Sequence, residues 1–144
     1  NFKGMPSFSP ELFKYIENAD PMKSKQLAKG IDQLMDEGVA QLFVGKTSTR
    51  KIIGTVGALQ FEVIEYRLLH EYGAKCRYEP ITLYKTAWIT SKNQEQLDDF
   101  IQRKSGSLAV DKEGRLVFLA ESKYSLDMAM GKYKEIKFHF TSEF

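Results

Sequence analysis

The sequence predicts an α+β chain of two lobes, each with the element order β-α-β-β-α-β, antiparallel sheets and helices on one sheet face. Three observations predict it. Apolar residues recur at helical spacing in some segments and alternate in strand fashion in others. Glycine, proline and capping residues punctuate the changes of period. The order of elements in residues 1–80 then returns in residues 81–144.

The elements follow in chain order. Phe2–Phe8 supplies an opening strand. Ser9-Pro10-Glu11 joins a capping hydroxyl, a proline at a first helical position and an acid in a first turn, which predicts a short helix. Asn18-Ala19-Asp20-Pro21 repeats that signal and opens a second helix, whose Leu27, Ile31, Leu34 and Met35 share a face until Gly38 ends it. Lys25, Lys29, Asp32 and Asp36 fall on its opposite, solvated face. Val39–Val44 and Lys51–Val56 are apolar, β-rich runs around the polar Gly45–Arg50 connector, and read as a hairpin. After Gly57, the recurrence of Leu59, Phe61, Ile64, Leu68 and Tyr72 predicts a helix stopped by Gly73. Ala74, Cys76 and Tyr78 alternate with Lys75, Arg77 and Glu79, a strand closed by Pro80.

This is the ferredoxin-like arrangement, and the second half repeats it. Leu83–Thr90 is β-rich, Asn93 caps a helix with Leu97, Phe100 and Ile101 inward, and Leu108–Val110 and Leu116–Ala120 flank the turn Asp111-Lys112-Glu113-Gly114. Ser122 or Ser125 opens a last helix around Leu126, Ala129, Met130 and Tyr133, and Lys137–Thr141 alternates Phe138 and Phe140 with polar neighbours. Right-handed crossovers place both helices of a unit on one sheet face and leave the other bare. Units this small are marginal alone, so the lobes are expected to pack through the bare faces or through shared edges into one rigid body.

Composition excludes several classes of function. Cys76 is the only cysteine, which rules out an internal disulfide or a CxxC metal site and fits a reducing, cytoplasmic setting. No apolar run approaches the ~20 residues a bilayer span requires, so no membrane partner is expected. A first residue that is not Met suggests part of a longer protein. Twenty-one Lys plus Arg stand against nineteen Asp plus Glu. That balance is too even for a general affinity for polyanions, so any nucleic acid must be met by a local patch.

The candidate patch is the hairpin connector. Lys46, Arg50 and Lys51 are three cations with no acid between them in sequence, on a loop able to reach a phosphate backbone. Gly45-Lys46-Thr47 mimics the end of a phosphate-binding P-loop, but the earlier glycine that motif needs is Ala40, and the loop runs on into a strand. Lys75 and Arg77 share a strand face; with Tyr84 and Trp88 on the next strand they would make a basic and aromatic platform for single-stranded RNA. Packing inside the core is the plainer reading of Tyr84 and Trp88. His70 and His139 fall in different halves, Asp98 and Asp99 point to different sides of a helix, and Glu62 and Glu65 suit a solvated helix side. No catalytic residue and no metal ligand is assigned.

The stretch Lys51-Ile52-Ile53-Gly54-Thr55-Val56-Gly57-Ala58-Leu59-Gln60-Phe61-Glu62-Val63, with Arg67-Leu68 and Glu71-Tyr72-Gly73, resembles the third domain of translational GTPases of the elongation factor G group. Phe8-Ser9-Pro10-Glu11-Leu12-Phe13, Asp20-Pro21, Gln26-Leu27, Lys29-Gly30, Gln33-Leu34 and Glu37-Gly38 narrow the resemblance to the bacterial peptide chain release factor 3 family, and Ala87-Trp88, Leu108-Ala109 and Phe138-His139 carry it through the second half. The resemblance implies a parent that binds GTP and Mg on an N-terminal G domain and promotes GTP-dependent release of class I release factors from the ribosome. It implies ribosome and ribosomal RNA as partners, class I release factors indirectly, and a monomeric, non-catalytic role for this region. The motifs of GTP chemistry do not occur in the 144 residues: there is no complete P-loop, no Asp-x-x-Gly switch in a matching context and no Asn-Lys-x-Asp. Residues 1–80 then correspond to the third-domain lobe and residues 81–144 to a second, smaller lobe. Other readings of the fold are a stand-alone ligand sensor, a small RNA-binding module, or a phosphatase-like enzyme using Gly4-Met5-Pro6-Ser7 as an anion loop.

Overall fold

In the computed structural model, which describes residues 9–48 and 50–141, the first element is a strand. Strand β1 (Leu12–Asn18) occupies the place expected of a helix. Ser9-Pro10-Glu11 is locally ambiguous, because a residue before proline favours extended backbone as readily as a cap. Tertiary pairing decides. The Glu11 N–H donates to the Thr55 carbonyl at 2.8 Å, and the ladder continues from Leu12 opposite Thr55 to Ile16 opposite Lys51. The expected strand at Phe2–Phe8 and the loop Gly4-Met5-Pro6-Ser7 lie outside the described residues.

Asp20 accepts from the Met22 N–H, with Pro21 behind it, and a 3-10 turn leads into helix α1 (Ser24–Asp36). Strands β2 (Gln41–Gly45) and β3 (Lys51–Thr55) form the hairpin. Helix α2 (Leu59–Tyr72) ends where Gly73 turns to φ 64°, and β4 (Cys76–Pro80) closes the first lobe. The second lobe comprises β5 (Lys85–Ser91), α3 (Gln94–Arg103), β6 (Leu108–Val110), β7 (Leu116–Ala120), α4 (Lys123–Lys132) and β8 (Ile136–His139). Asn93 caps α3, and Ser122 with Ser125 makes a reciprocal capping box on α4. Two residues expected inward face solvent instead: Leu59 is 66% and Met130 40% exposed. Leu59 precedes the buried Phe61 by two positions, about 200° around a helix, so one face cannot hold both.

All eight strands join one antiparallel sheet in the order β4-β1-β3-β2-β6-β7-β5-β8. Read from its outer edge, each lobe has the same internal order, and the lobes meet through their equivalent strands β2 and β6. Val44 pairs with Val110 and Gly45 with Ala109, and the Lys46 N–H extends the ladder to the Leu108 carbonyl at 2.9 Å. Leu42 packs with Ile16, Ile31, Ile53 and Leu68 under α1 and α2, while Leu108 packs with Phe100, Phe118 and Leu126 under α3 and α4. Leu42 and Leu108 each lie two residues from the Val44–Val110 pair, so all four helices cover the same sheet face.

The β4–β5 connection shows what happens to the other face. Pro80 still pairs with Lys14, and the Tyr84 N–H already bonds the Ala120 carbonyl at 2.8 Å. Four peptide steps reach at most about 14 Å. Strands β4 and β5 lie six places apart in the sheet, which is roughly 29 Å if flat. The sheet must therefore curl until its helix-free faces meet. Phe13, Phe43 and Ile52 of the first lobe share one buried cluster with Trp88, Ala109, Val117 and Leu119 of the second, and Ile81 and Leu83 of the connector pack against it. The lobes thus join both by bare faces and by a shared edge. Gly54 makes room for this interior, since a Cβ there would lie 2.9 Å from the Pro10 Cβ and 3.1 Å from the Phe43 ring.

Candidate nucleic-acid interface

The β2–β3 hairpin holds Lys46, Arg50 and Lys51 in one short segment, but their side chains have three different settings. Lys46 is exposed at the start of the loop, its backbone fixed by β6. Arg50 lies back across the sheet, with its guanidinium 3.6 Å from the centre of the Tyr15 ring. There it donates to Glu17 Oε2 at 2.9 Å and to Glu79. Lys51 is half-buried and borders a groove of about 280 Å³ formed by Ile16, Glu17, Leu27 and Ile31.

Strand β4 brings Arg77 to the same place, donating to Glu17 Oε1 at 3.3 Å. Partial burial works against the charged Glu17, yet the bonds from Arg50 and Arg77 prevail and hold its carboxyl below the ordinary range. The bond to Glu79 raises Arg50 in turn. A loop free of acids in sequence is therefore not free of them in space. Arg50 and Arg77 meet Glu17 and Glu79 in a cluster with no net charge, while the exposed Lys46 and Lys75 stand outside it.

The aromatic platform does not assemble. Trp88 is 1% exposed and packs in the interior between the lobes, where its indole N–H donates to Asp111. Tyr84 is half-exposed, with Lys85 Nζ 5.9 Å from its ring centre. A side chain of that bulk amid alternating apolar residues is the signal that already favoured packing.

Groups suited to catalysis are dispersed. His70 lies against Tyr66, ring centres 4.1 Å apart, and His139 Nε2 is 2.8 Å from Thr90 Oγ1. Asp98 accepts from Gln94, and Asp99 from Arg103 and the Tyr133 hydroxyl. Burial pushes the Cys76 thiol up to about 11, reinforced by Glu65. Among the described residues no three His, Cys, Asp or Glu side chains gather as a metal site, and no helix is long and apolar enough to cross a membrane. Gly45-Lys46-Thr47 leads from β2 through a turn into β3, not into a helix N-terminus as a phosphate-binding loop does.

Two sets of charged residues escaped the sequence reading. Lys112, in the β6–β7 turn, reaches Asp32 at 3.2 Å and Asp36 on α1 and so ties the lobes together. Nothing local in the sequence pairs residues so far apart. Lys132, Lys134 and Lys137 fall within six residues, a density that charge counting alone would have found. A protein-family model described as class II release factor RF3, C-terminal domain, matches residues 2–130.

Proposed function

The chain belongs to the family of the class II release factor RF3 C-terminal domain, and on that premise we propose that it is the ribosome-contacting region of a translation-termination GTPase. It positions and contacts; it does not catalyse. In this reading GTP and Mg bind a G domain elsewhere in the parent, and the parent acts in the cytoplasm to promote GTP-dependent departure of class I release factors from the ribosome.

The observation that carries the mechanical half of this reading is the interior shared by the two lobes. Phe43 and Trp88 pack across the boundary with ring centres 5.7 Å apart, beside a continuous β2–β6 ladder. Close-packed interiors deform little, so a rotation imposed on one lobe is delivered to the other. A nucleotide-driven movement of an attached domain would be passed on as a rigid-body displacement.

Lys46, Lys51 and Lys75 are the proposed phosphate contacts of the first lobe. Arg50 and Arg77 keep Glu17 and Glu79 neutralised beside them and contribute their remaining guanidinium edges. Co-sedimentation with bacterial ribosomes tests the reading. The chain should pellet with ribosomes in a salt-dependent way, Lys46→Ala with Lys75→Ala should weaken that binding, and the purified chain should not hydrolyse GTP. Absence of ribosome binding at low salt, or GTP turnover by the chain, defeats it.

A further inference from the structure

Every arginine of the chain is committed to a carboxylate: Arg50 to Glu17 and Glu79, Arg67 to Glu37 and Glu71, Arg77 to Glu17, Arg103 to Asp99 and Arg115 to Asp111. Positive charge not already paired with a carboxylate therefore rests with lysines, and the fold gathers several at one corner of the second lobe. Thr90 pairs with Lys137 and Ser91 with Ile136, which sets Lys92 beside Glu135 where the two strands separate. The Ser91 hydroxyl donates to the Glu135 carbonyl at 2.9 Å and fixes that junction. Lys134 precedes it by one residue. Lys92, Lys134 and Lys137 are all exposed, and β8 is an outer edge of the sheet.

The backbone beneath them is anchored in the core. Ile136 and Phe138 belong to the core of the second lobe, and so does Tyr133, whose hydroxyl donates to Asp99. Asp99 is thereby occupied, by Tyr133 and by Arg103. Lys132 adds a fourth exposed ammonium next to this group, part of whose field falls on Asp99. The carboxylates beside the group in the chain are Glu95 and Glu135, so the corner keeps a positive excess while the Arg50–Arg77 cluster has none.

We propose that Lys92, Lys134 and Lys137 form a second contact with the phosphodiester backbone of ribosomal RNA, on the opposite lobe from Lys46 and Lys75. This rests on the ribosome-contacting reading above. Lysine ammonium groups suit the task, being point charges that meet phosphate without selecting a base. Contacts on both lobes would fix the orientation of the rigid body on the ribosome as well as its attachment.

The test compares two variants of the chain with equal loss of charge. One carries Lys92→Gln, Lys134→Gln and Lys137→Gln; the other carries Lys23→Gln, Lys25→Gln and Lys29→Gln, around the start of α1. Affinity for purified bacterial ribosomes is titrated with salt, and unfolding curves verify that both variants are folded. The first variant should bind about tenfold more weakly at about 0.15 M salt, and the slope of log affinity against log salt should fall by about 3. The second should keep the wild-type slope. Equal losses in the two variants would reduce the effect to net charge and overturn the contact. An unchanged slope in the first variant would overturn it too; self-association on sedimentation would then assign these lysines to guarding an edge strand. If the wild-type chain fails to bind ribosomes, the reading beneath this proposal falls and the proposal falls with it.

Discussion

The ring of Phe43 in the first lobe meets the indole of Trp88 in the second at 5.7 Å between centres and 58° between planes. Neither side chain touches solvent to any extent, at 0% and 1% exposure. Trp88 also donates its N–H to Asp111 Oδ2 at 2.9 Å, and Asp111 accepts from Arg115 Nε and from two turn amides. The boundary between the lobes therefore has an aromatic centre whose indole N–H is satisfied at its margin, while the hydroxyl of Thr86, buried two residues before Trp88 on the same strand, has no partner among the described residues.

Unfolding should accordingly be cooperative. Trp88 is the only tryptophan, so its fluorescence reports the boundary while circular dichroism reports all the helices. The two urea transitions should coincide. A fluorescence change that precedes loss of helix would mean that the lobes part first.

Trp88→Ala should destabilise the chain by about 3–5 kcal/mol, measured by circular dichroism in urea. Lys112→Ala removes half-exposed ion pairs to Asp32 and Asp36 and a bond to the Asp32 carbonyl at 3.0 Å, and should cost no more than about 1 kcal/mol. The reverse ranking would mean that charge pairs, and not the aromatic interior, hold the lobes together.

Two glycine substitutions should have opposite signs. A Cβ on Gly30 of α1 would lie 2.6 Å from Leu68 Cδ2 and 2.9 Å from the Tyr72 ring on α2. Gly30→Ala should therefore lose about 1–3 kcal/mol by overpacking, against about 1 kcal/mol gained in helix propensity. A Cβ on Gly131 meets nothing within 4 Å, so Gly131→Ala should raise stability by about 0.5–1 kcal/mol. Thermal midpoints of the two variants decide the point.

Acid should unfold the chain partly through three carboxylates. Arg50 and Arg77 overcome the partial burial of Glu17, Arg67 acts on Glu71, and Arg103 with Tyr133 acts on Asp99, each group being held below its ordinary pKa. A lowered folded-state value means that the unfolded chain takes up the proton first. Their stabilisation is complete above the ordinary values, 4.5 for the glutamates and 3.8 for the aspartate, and is lost as pH falls through the lowered ones. Stability measured against pH should drop less steeply below about pH 4.5 in Glu17→Gln than in the wild type.

Cys76 should resist thiol reagents while the chain is folded. It is buried at the start of β4, and burial with Glu65 nearby raises the thiol to about 11 from 9.0. The raised value also means that this position favours folding below pH 9.0 and loses that contribution as pH climbs through about 11. Labelling near neutral pH should follow the fraction unfolded as urea is added; rapid labelling without denaturant would contradict the burial.

What could be read from the sequence alone was whatever a few adjacent residues decide. Asp20-Pro21, Gly38, Gly73, Asn93 and Ser122 start or stop helices through their own backbone preferences and side-chain bonds, and these boundaries stand where the chain order put them. The family motifs were legible for the same reason, being short and contiguous. Residues whose role depends on a distant partner were not. Ser9-Pro10-Glu11 leads into a strand because β3 takes its N–H into a ladder, and Leu59 and Met130 were misjudged inward because a face is defined only by what packs on it. Arg50 carries a free charge in the sequence and a neutralised one in the fold, since Glu17 and Glu79 arrive from β1 and β4. The sequence by itself determined the elements and their order; tertiary structure decided which cations remain available and how the lobes join, because electrostatic pairing and burial depend on distance in space and not along the chain.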